Sequence, residues 1–201
     1  MPEIPLELFM DGLKKLIELD KDFIPKHAGS SLYIRPFMIG TEPFIGVRTS
    51  DRYIFSIITG PTASYYDEAI SVLVYDSYVR STKGGYGNAK AAGNYAGTLY
   101  PVEVAKQKGY KDVLWLDGEH KKYLNEVGTM NIFLVIDGKL VTPEIDGTIL
   151  DGITRNSIIT IAKDLGYEVE ERPISIDEVI EAYNNKTLTE MFGTGTAAVV
   201  N

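Results

Sequence analysis

Lys83-Gly84-Gly85-Tyr86-Gly87-Asn88-Ala89-Lys90-Ala91-Ala92-Gly93-Asn94-Tyr95 is the densest chemical signal in the chain, and the fold assignment turns on it. It is not a P-loop, because Gly87 and Lys90 are not adjacent, and its glycines lack the spacing of a dinucleotide fingerprint. A lysine in such a loop is open to two readings. One is a solvated turn residue of the kind glycine-rich segments commonly carry. The other rests on Ala89, Ala91, Ala92 and Gly93, whose small size lets a bulky planar ligand approach Lys90. A desolvated lysine has a lowered pKa and becomes a nucleophile toward a carbonyl.

Upstream of this loop, Leu6, Phe9, Leu13, Leu16 and Ile17 recur at helical spacing and predict an amphipathic helix over 6–20, entered through Pro2 and Pro5. Short β-branched and aromatic runs at 32–39, 53–59 and 69–75, separated by Gly and Pro, read as strands. Downstream, a helix is expected at 99–109 and strands at 113–116 and 131–136. Asp137-Gly138 then turns a hairpin into Leu140-Val141. A helix at 154–165 with Gly166 just past its end, a strand at 167–172, a helix at 176–184 and a strand near 188–192 follow. Phe192-Gly193-Thr194-Gly195-Thr196 reads as a tight loop, and 197–200 as the start of an apolar strand that stops one residue later. The chain is therefore expected to be a piece of a larger protein. The mixture is α+β and strand-rich, with crossovers rather than the regular alternation of a doubly wound sheet.

With 201 residues, one domain spanning 1–201 is expected. Hydrophobic residues at 44% and charged residues at 24% exclude a disordered chain. The net charge of -8, without a basic stripe, argues against nucleic acid as a partner. The absence of cysteine removes disulfides, thiolate metal sites and thiolate nucleophiles, and with only His27 and His120 no metal centre is expected. Apolar runs such as 132–136 are far short of the roughly 20 residues a membrane helix needs. Met1 opens no basic-then-apolar leader, so a soluble, cytoplasmic protein is expected.

Two further motifs carry chemistry. Glu126-Val127-Gly128-Thr129-Met130-Asn131 reads as a loop between short strands that presents a carboxylate and a hydroxyl, or else as a hairpin-edge carboxylate. Asp151-Gly152-Ile153-Thr154-Arg155 precedes a helix, and Gly193-Thr194-Gly195-Thr196-Ala197 offers a second Thr-bearing loop. A hydroxyl with free backbone N–H groups at a helix start is an anion site, although Thr154 is equally readable as a plain N-cap and the second loop as an ordinary turn.

Taken together and in order, six segments match one pattern: Leu32-Tyr33-Ile34-Arg35-Pro36, Tyr78-Val79-Arg80, residues 83–95, residues 126–131, Leu150-Asp151-Gly152-Ile153-Thr154-Arg155 and residues 192–197. The chain resembles the branched-chain amino-acid aminotransferases, pyridoxal-phosphate enzymes of the D-alanine-aminotransferase-like fold. The resemblance implies a strand-rich large domain with a pseudo-barrel of strands and flanking helices. It implies that Lys90 attaches the cofactor and later carries the proton between the substrate Cα and the cofactor. Tyr95 would bond the phenolate oxygen, and Glu126 would pair with the pyridine nitrogen so that the ring acts as an electron sink. The phosphate cup maps onto Ile153, Thr154 and Thr196, with Arg80 close by. The substrate pocket maps onto Tyr33, Arg35, Thr129, Thr196 and Ala197, an arginine suiting a site that must also take the γ-carboxylate of glutamate.

The implied reaction moves the amino group of leucine, isoleucine or valine to 2-oxoglutarate, with amino acids and 2-oxo acids as the small-molecule partners, in a homodimer. Departures from the family pattern are a small N-terminal domain and the last strands, both expected to be missing here. The chain alone is accordingly expected to fold without turning over. A D-amino-acid aminotransferase or aminodeoxychorismate lyase of the same fold, or a noncatalytic folded fragment, are the competing readings.

Overall fold

The computed structural model describes residues 1–63 and 68–196, and the backbone of 199–200. Where the sequence suggests one domain, the chain divides into two compact units, Met1–Tyr65 and Tyr66–Asn201. Their strands belong to separate hydrogen-bonded sheets, one of two strands and one of eight.

The first unit holds α1 (Leu6–Asp20), a short 3₁₀ turn at Lys21–Phe23, and the antiparallel pair β1 (Ser31–Gly40) and β2 (Tyr53–Thr62). In α1 the predicted stripe is the face that packs: Phe9, Leu13, Leu16 and Ile17 are half-buried, whereas Leu6 and Leu8 stay exposed. Phe9 meets Phe55 of β2 with ring centroids 5.8 Å apart, and the Thr59 hydroxyl donates to Asp20 at the helix end.

The second unit runs β3 (Val72–Tyr75), α2 (Ala92–Ala96), α3 (Leu99–Gln107), β4 (Asp112–Leu116), β5 (Leu124–Val127), β6 (Met130–Ile136), β7 (Lys139–Thr142), α4 (Ile153–Asp164), β8 (Val169–Glu171), α5 (Ile176–Asn184), β9 (Leu188–Gly195) and β10 (Val199–Val200). The strand order is β10-β9-β6-β5-β4-β3, with β7 pairing both β6 and β8. β3–β4 and β7–β8 are parallel, and each pair is bridged by a helical crossover, as parallel neighbours require. Along one edge β6 pairs first with β5 and then with β7, while its other edge pairs with β9. The sheet therefore branches at β6.

The strand β6 is apolar at nearly every position because both its faces are covered. Met130, Ile132, Leu134 and Ile136 join Val179 and Ala182 of α5 in one core, and Phe133 packs with Ile159 and Ala162 of α4 in another. By alternation Asn131 shares the α4 face with Phe133. A third core sets Val113 and Trp115 against Ala105 of α3. The hairpin after β6 is the one expected, with Asp137 and Gly138 both at positive φ (51° and 76°), the signature of a type I′ turn.

Other expectations are corrected. The strand read at 69–75 starts only at Val72. The Gly-Thr loop at 193–196 is largely strand, because β9 continues in register against β6, pairing Gly193 with Ile132 and Thr194 with Asn131. Glycine is needed at 193 since a Cβ there would meet Met130 Cε at 2.8 Å. Among the described residues no helix is long and apolar enough to cross a membrane.

One local device lends itself to a stability test. Between β4 and β5, the Asp117 carboxylate accepts backbone N–H groups of Glu119, His120, Lys122 and Tyr123 at 2.6–3.1 Å. Partial burial pushes its carboxyl up, but these four donors outweigh burial and hold it below its usual range. A depressed pKa adds stability above the unfolded-state value that is lost as pH falls through the folded-state value. Asp117→Asn is expected to lower stability by about 1–2 kcal/mol near neutrality, in the range of a lost cap. Thermal unfolding of variant and wild type should show that gap narrowing as the pH falls below the ordinary Asp value.

Candidate active site

The glycine-rich loop is fixed by its own chain. Gly87 admits no side chain, because a Cβ would lie 2.2 Å from the Thr148 carbonyl oxygen. The buried Asn94 carboxamide, in α2, donates back to the carbonyls of Tyr86 and Ala89 and so folds the loop onto the helix. This leaves Lys90 just ahead of α2, with its Nζ 5.1 Å from the Tyr95 ring centroid. Lys90 is exposed in this chain, so the desolvation anticipated from its small neighbours is not supplied by the residues around it here.

Glu126 is neither in a loop nor at a hairpin edge. It sits in β5, paired with Asn131 of β6, and its side chain is 2% exposed. A carboxylate there needs partners, and it has them on both oxygens. Oε2 faces Arg80 Nε at 2.8 Å, while Oε1 accepts Asn131 Nδ2 and the Leu150 N–H, each at 3.1 Å. Burial pushes the Glu126 carboxyl above its usual range; the Arg80 guanidinium, the Leu150 N–H and the charge of Lys90 pull against it.

The expectation set Arg80 beside the phosphate cup, yet its side chain, also 2% exposed, is engaged with Glu126. It also donates to the Thr148 carbonyl at 3.0 Å and the Gly87 carbonyl at 3.5 Å. The Thr148 carbonyl takes a second bond from the Ser81 hydroxyl at 2.6 Å. Residues 146–152 thereby strap together the lysine loop, the buried carboxylate and the start of α4.

At that start the N-cap is Gly152, not Thr154, and the cap supplies no side-chain bond to the first turn. Its N–H groups remain available to an acceptor. Thr154 is half-buried and Ile153 exposed. Thr196 lies exposed in the turn after β9, and Ala197 lies outside the described residues. Thr129 is exposed at the β5–β6 turn, so it and the buried Glu126 are not presented together. In the first unit, Tyr33 and Arg35 alternate on one face of β1, with Arg35 Nη2 donating to the Tyr33 hydroxyl at 2.9 Å.

Several contributing residues escape a reading of the sequence. Thr194 is 1% exposed and its Oγ1 has no hydrogen-bond partner among the described residues. A Thr between two glycines, followed by another Thr, is the available signal. Arg155, buried in the first turn of α4, donates to the Pro143 carbonyl at 2.8 Å and to Glu171 at 2.9 Å, lashing the helix start to the ends of β7 and β8.

A free amine beside an aromatic ring, a buried carboxylate held by a guanidinium, and an open helix start in one strand-rich unit fit one class. The family model for amino-transferase class IV matches residues 2–200, and the chain belongs to that family. It is 54% identical over its whole length to branched-chain-amino-acid aminotransferase 2 of Bacillus subtilis and 43% identical to the probable branched-chain-amino-acid aminotransferase of Streptomyces coelicolor. The chain spans only 56% of the length of either relative. Among solved structures, the Escherichia coli branched-chain amino acid aminotransferase superposes over 100% of this chain and 62% of its own, with a TM-score of 0.79 at 28% identity. A T.th. branched-chain amino acid aminotransferase complexed with N-(5'-phosphopyridoxyl)-L-glutamate matches 99% of this chain and 62% of its own, with a TM-score of 0.74 at 29% identity.

Proposed function

We propose that this chain carries the pyridoxal 5'-phosphate site of a branched-chain-amino-acid aminotransferase. In the whole protein it would transfer the amino group of leucine, isoleucine or valine to 2-oxoglutarate. The observation that carries the reading is the buried Arg80–Glu126–Asn131 constellation, tied through Gly87 and Thr148 to the loop of Lys90. The names of the relatives support the substrate class, and the phosphopyridoxyl-glutamate bound by the T.th. enzyme supports glutamate as the second amino acid.

The residues present fit that cofactor. Each oxygen of an ionised carboxylate has two acceptor sites, so Glu126 Oε2, bonded to Arg80 alone, retains one for a ring N–H. The unpartnered, buried Thr194 hydroxyl sits opposite Asn131 in the same row of the sheet, a polar group awaiting a bound partner. When bound, pyridoxal phosphate supplies the electron sink that makes the substrate Cα–H acidic and carries the amino group between the two half-reactions.

The chain's own residues do the rest. Lys90 would supply the amine that holds the cofactor and, when free of it, the base that accepts and returns the Cα proton. Tyr95 would bond the phenolate oxygen, and Glu126, paired with Arg80, would hold the ring nitrogen in its protonated form. The first turn of α4, with Ile153 and Thr154, and the Thr196 hydroxyl would take the phosphate. By the family resemblance Tyr33, Arg35, Thr129, Thr196 and Ala197 would be the substrate-binding residues of the whole protein, Arg35 through its carboxylate-matching fork. We place the cofactor-holding part in the second unit, and the whole protein in the cytoplasm as a homodimer.

The test is an amino-donor comparison in the whole protein supplied with pyridoxal phosphate. Glutamate formation from 2-oxoglutarate should be fastest with L-leucine, L-isoleucine or L-valine; a preference for D-alanine contradicts the reading. In the same assay Glu126→Gln is expected to cost about 10- to 150-fold in rate, the loss of one charge-assisted contact of ~1.5–3 kcal/mol in the transition state. An unchanged rate would reduce Glu126 to a structural carboxylate.

A further inference from the structure

Asn131 is a polar residue in a strand that is otherwise apolar. Both hydrogens of its amide nitrogen are used: Nδ2 donates to Glu126 Oε1 at 3.1 Å and to the Leu150 carbonyl at 2.9 Å. The Leu150 N–H closes the triangle by donating to the same Oε1 at 3.1 Å. One side chain thus joins the β5–β6 hairpin, which bears Glu126, to the segment that leads directly into α4. The fit is tight enough to dictate a neighbour, since a Cβ on Gly152 would lie 2.2 Å from Asn131 Oδ1. The N-cap of α4 must therefore be glycine for as long as Asn131 holds this position.

Register adds a second fact. Asn131 lies directly across from Glu126 on β5 and from Thr194 on β9, so three buried polar side chains form one row across three strands. Directly opposite residues share a face, and this is the face on which α4 packs. A rigid aromatic cofactor keeps its ring nitrogen and its phosphate at a spacing set by its own bonds. The protein must match that spacing with two grips, and grips are precise when a supporting shell locks them together.

We infer that Asn131 is a positioning residue that holds the Glu126 carboxylate and the first turn of α4 at one fixed spacing, so that the nitrogen end and the phosphate end of the cofactor are gripped as a unit. This rests on the pyridoxal-phosphate reading above. It separates Asn131 from Glu126 in what each controls: the Glu126 charge serves the nitrogen end, while its Oε1, which a glutamine keeps as an acceptor, and Asn131 tie that end to α4.

The measurement is the affinity of the whole protein for pyridoxal 5'-phosphate and for pyridoxal, which lacks the phosphate, followed by visible absorbance. Wild type should prefer the phosphorylated form. In Asn131→Ala that preference should shrink by about tenfold or more, the loss expected from misplacing charge-assisted contacts. Glu126→Gln should weaken both ligands and leave their ratio in place. Asn131→Asp keeps the size of the side chain but removes the donor and sets a second carboxylate against Glu126, so it should show the same shrinkage together with a lowered Tm. An unchanged ratio in both Asn131 variants overturns the inference. So does failure of both to fold, which is the behaviour of a packing residue. A wild type that takes up neither ligand overturns the cofactor reading itself, and the two failures are told apart by that control.

Discussion

Lys90→Ala in the whole protein is expected to lower amino transfer by at least ~10²- to 10⁴-fold, the range lost with a positioned general base alone. Losing the covalent attachment adds to this. The size of the effect follows from placement: Lys90 is the amine beside Tyr95 on a loop that Gly87 and Asn94 hold in one shape. Lys83, in the same loop, instead lies 3.8 Å from Asp146 as an exposed ion pair. Such pairs contribute little, so Lys83→Ala should leave rate and stability nearly unchanged. Initial rates of glutamate formation for the two variants side by side check the assignment, and equal losses would contradict it.

The largest effect on stability is expected from Arg80→Ala. Both members of the Arg80–Glu126 pair have side chains only 2% exposed, and Arg80 also bonds two carbonyls on separate segments. Removing it strands a buried carboxylate, a change that typically costs ~3–5 kcal/mol. Arg80→Lys keeps the charge but lacks the planar fork that reaches Glu126, Thr148 and Gly87 at once, so it should recover only part of the loss. Urea unfolding of the two variants and wild type measures this. A stability change below about 1 kcal/mol in Arg80→Ala, the level of an exposed ion pair, would show that the pair is not buried as described.

Much of this architecture is legible in the residues because local signals decide it. The stripe of α1, the Asp137-Gly138 turn and the helices over 153–164 and 176–184 all follow from periodicity and turn chemistry. The misreadings share a cause, which is partners distant in sequence. Glu126 reads as exposed because nothing near it in sequence suggests Arg80, and a four-residue strand containing Asn and Glu has little β propensity of its own. Gly193 and Gly195 read as loop, whereas both continue β9, and at 193 Met130 and Val127 leave little room for a side chain. The five-residue α2 is too short for helical periodicity to register. The division near residue 65 falls just after Gly60-Pro61, a pair that reads in the sequence as one more connection between strands.

The same contrast runs through the site. The family resemblance marks Lys90, Tyr95, Glu126, Ile153, Thr154 and Thr196 as candidates, because its motifs are short runs contiguous in sequence. It misses Asn131, Thr194, Arg155 and the Thr148 carbonyl, because their roles depend on which strands lie side by side. Register, not composition, sets Thr194 opposite Asn131 and Asn131 opposite Glu126.

The most direct measurement is borohydride reduction of the whole protein in the presence of pyridoxal phosphate, followed by peptide mapping of the labelled lysine. Label on the peptide carrying Lys90, lost in Lys90→Ala and retained in Lys83→Ala, is the predicted result; label on Lys83 or another lysine, or none at all, would contradict the site described here.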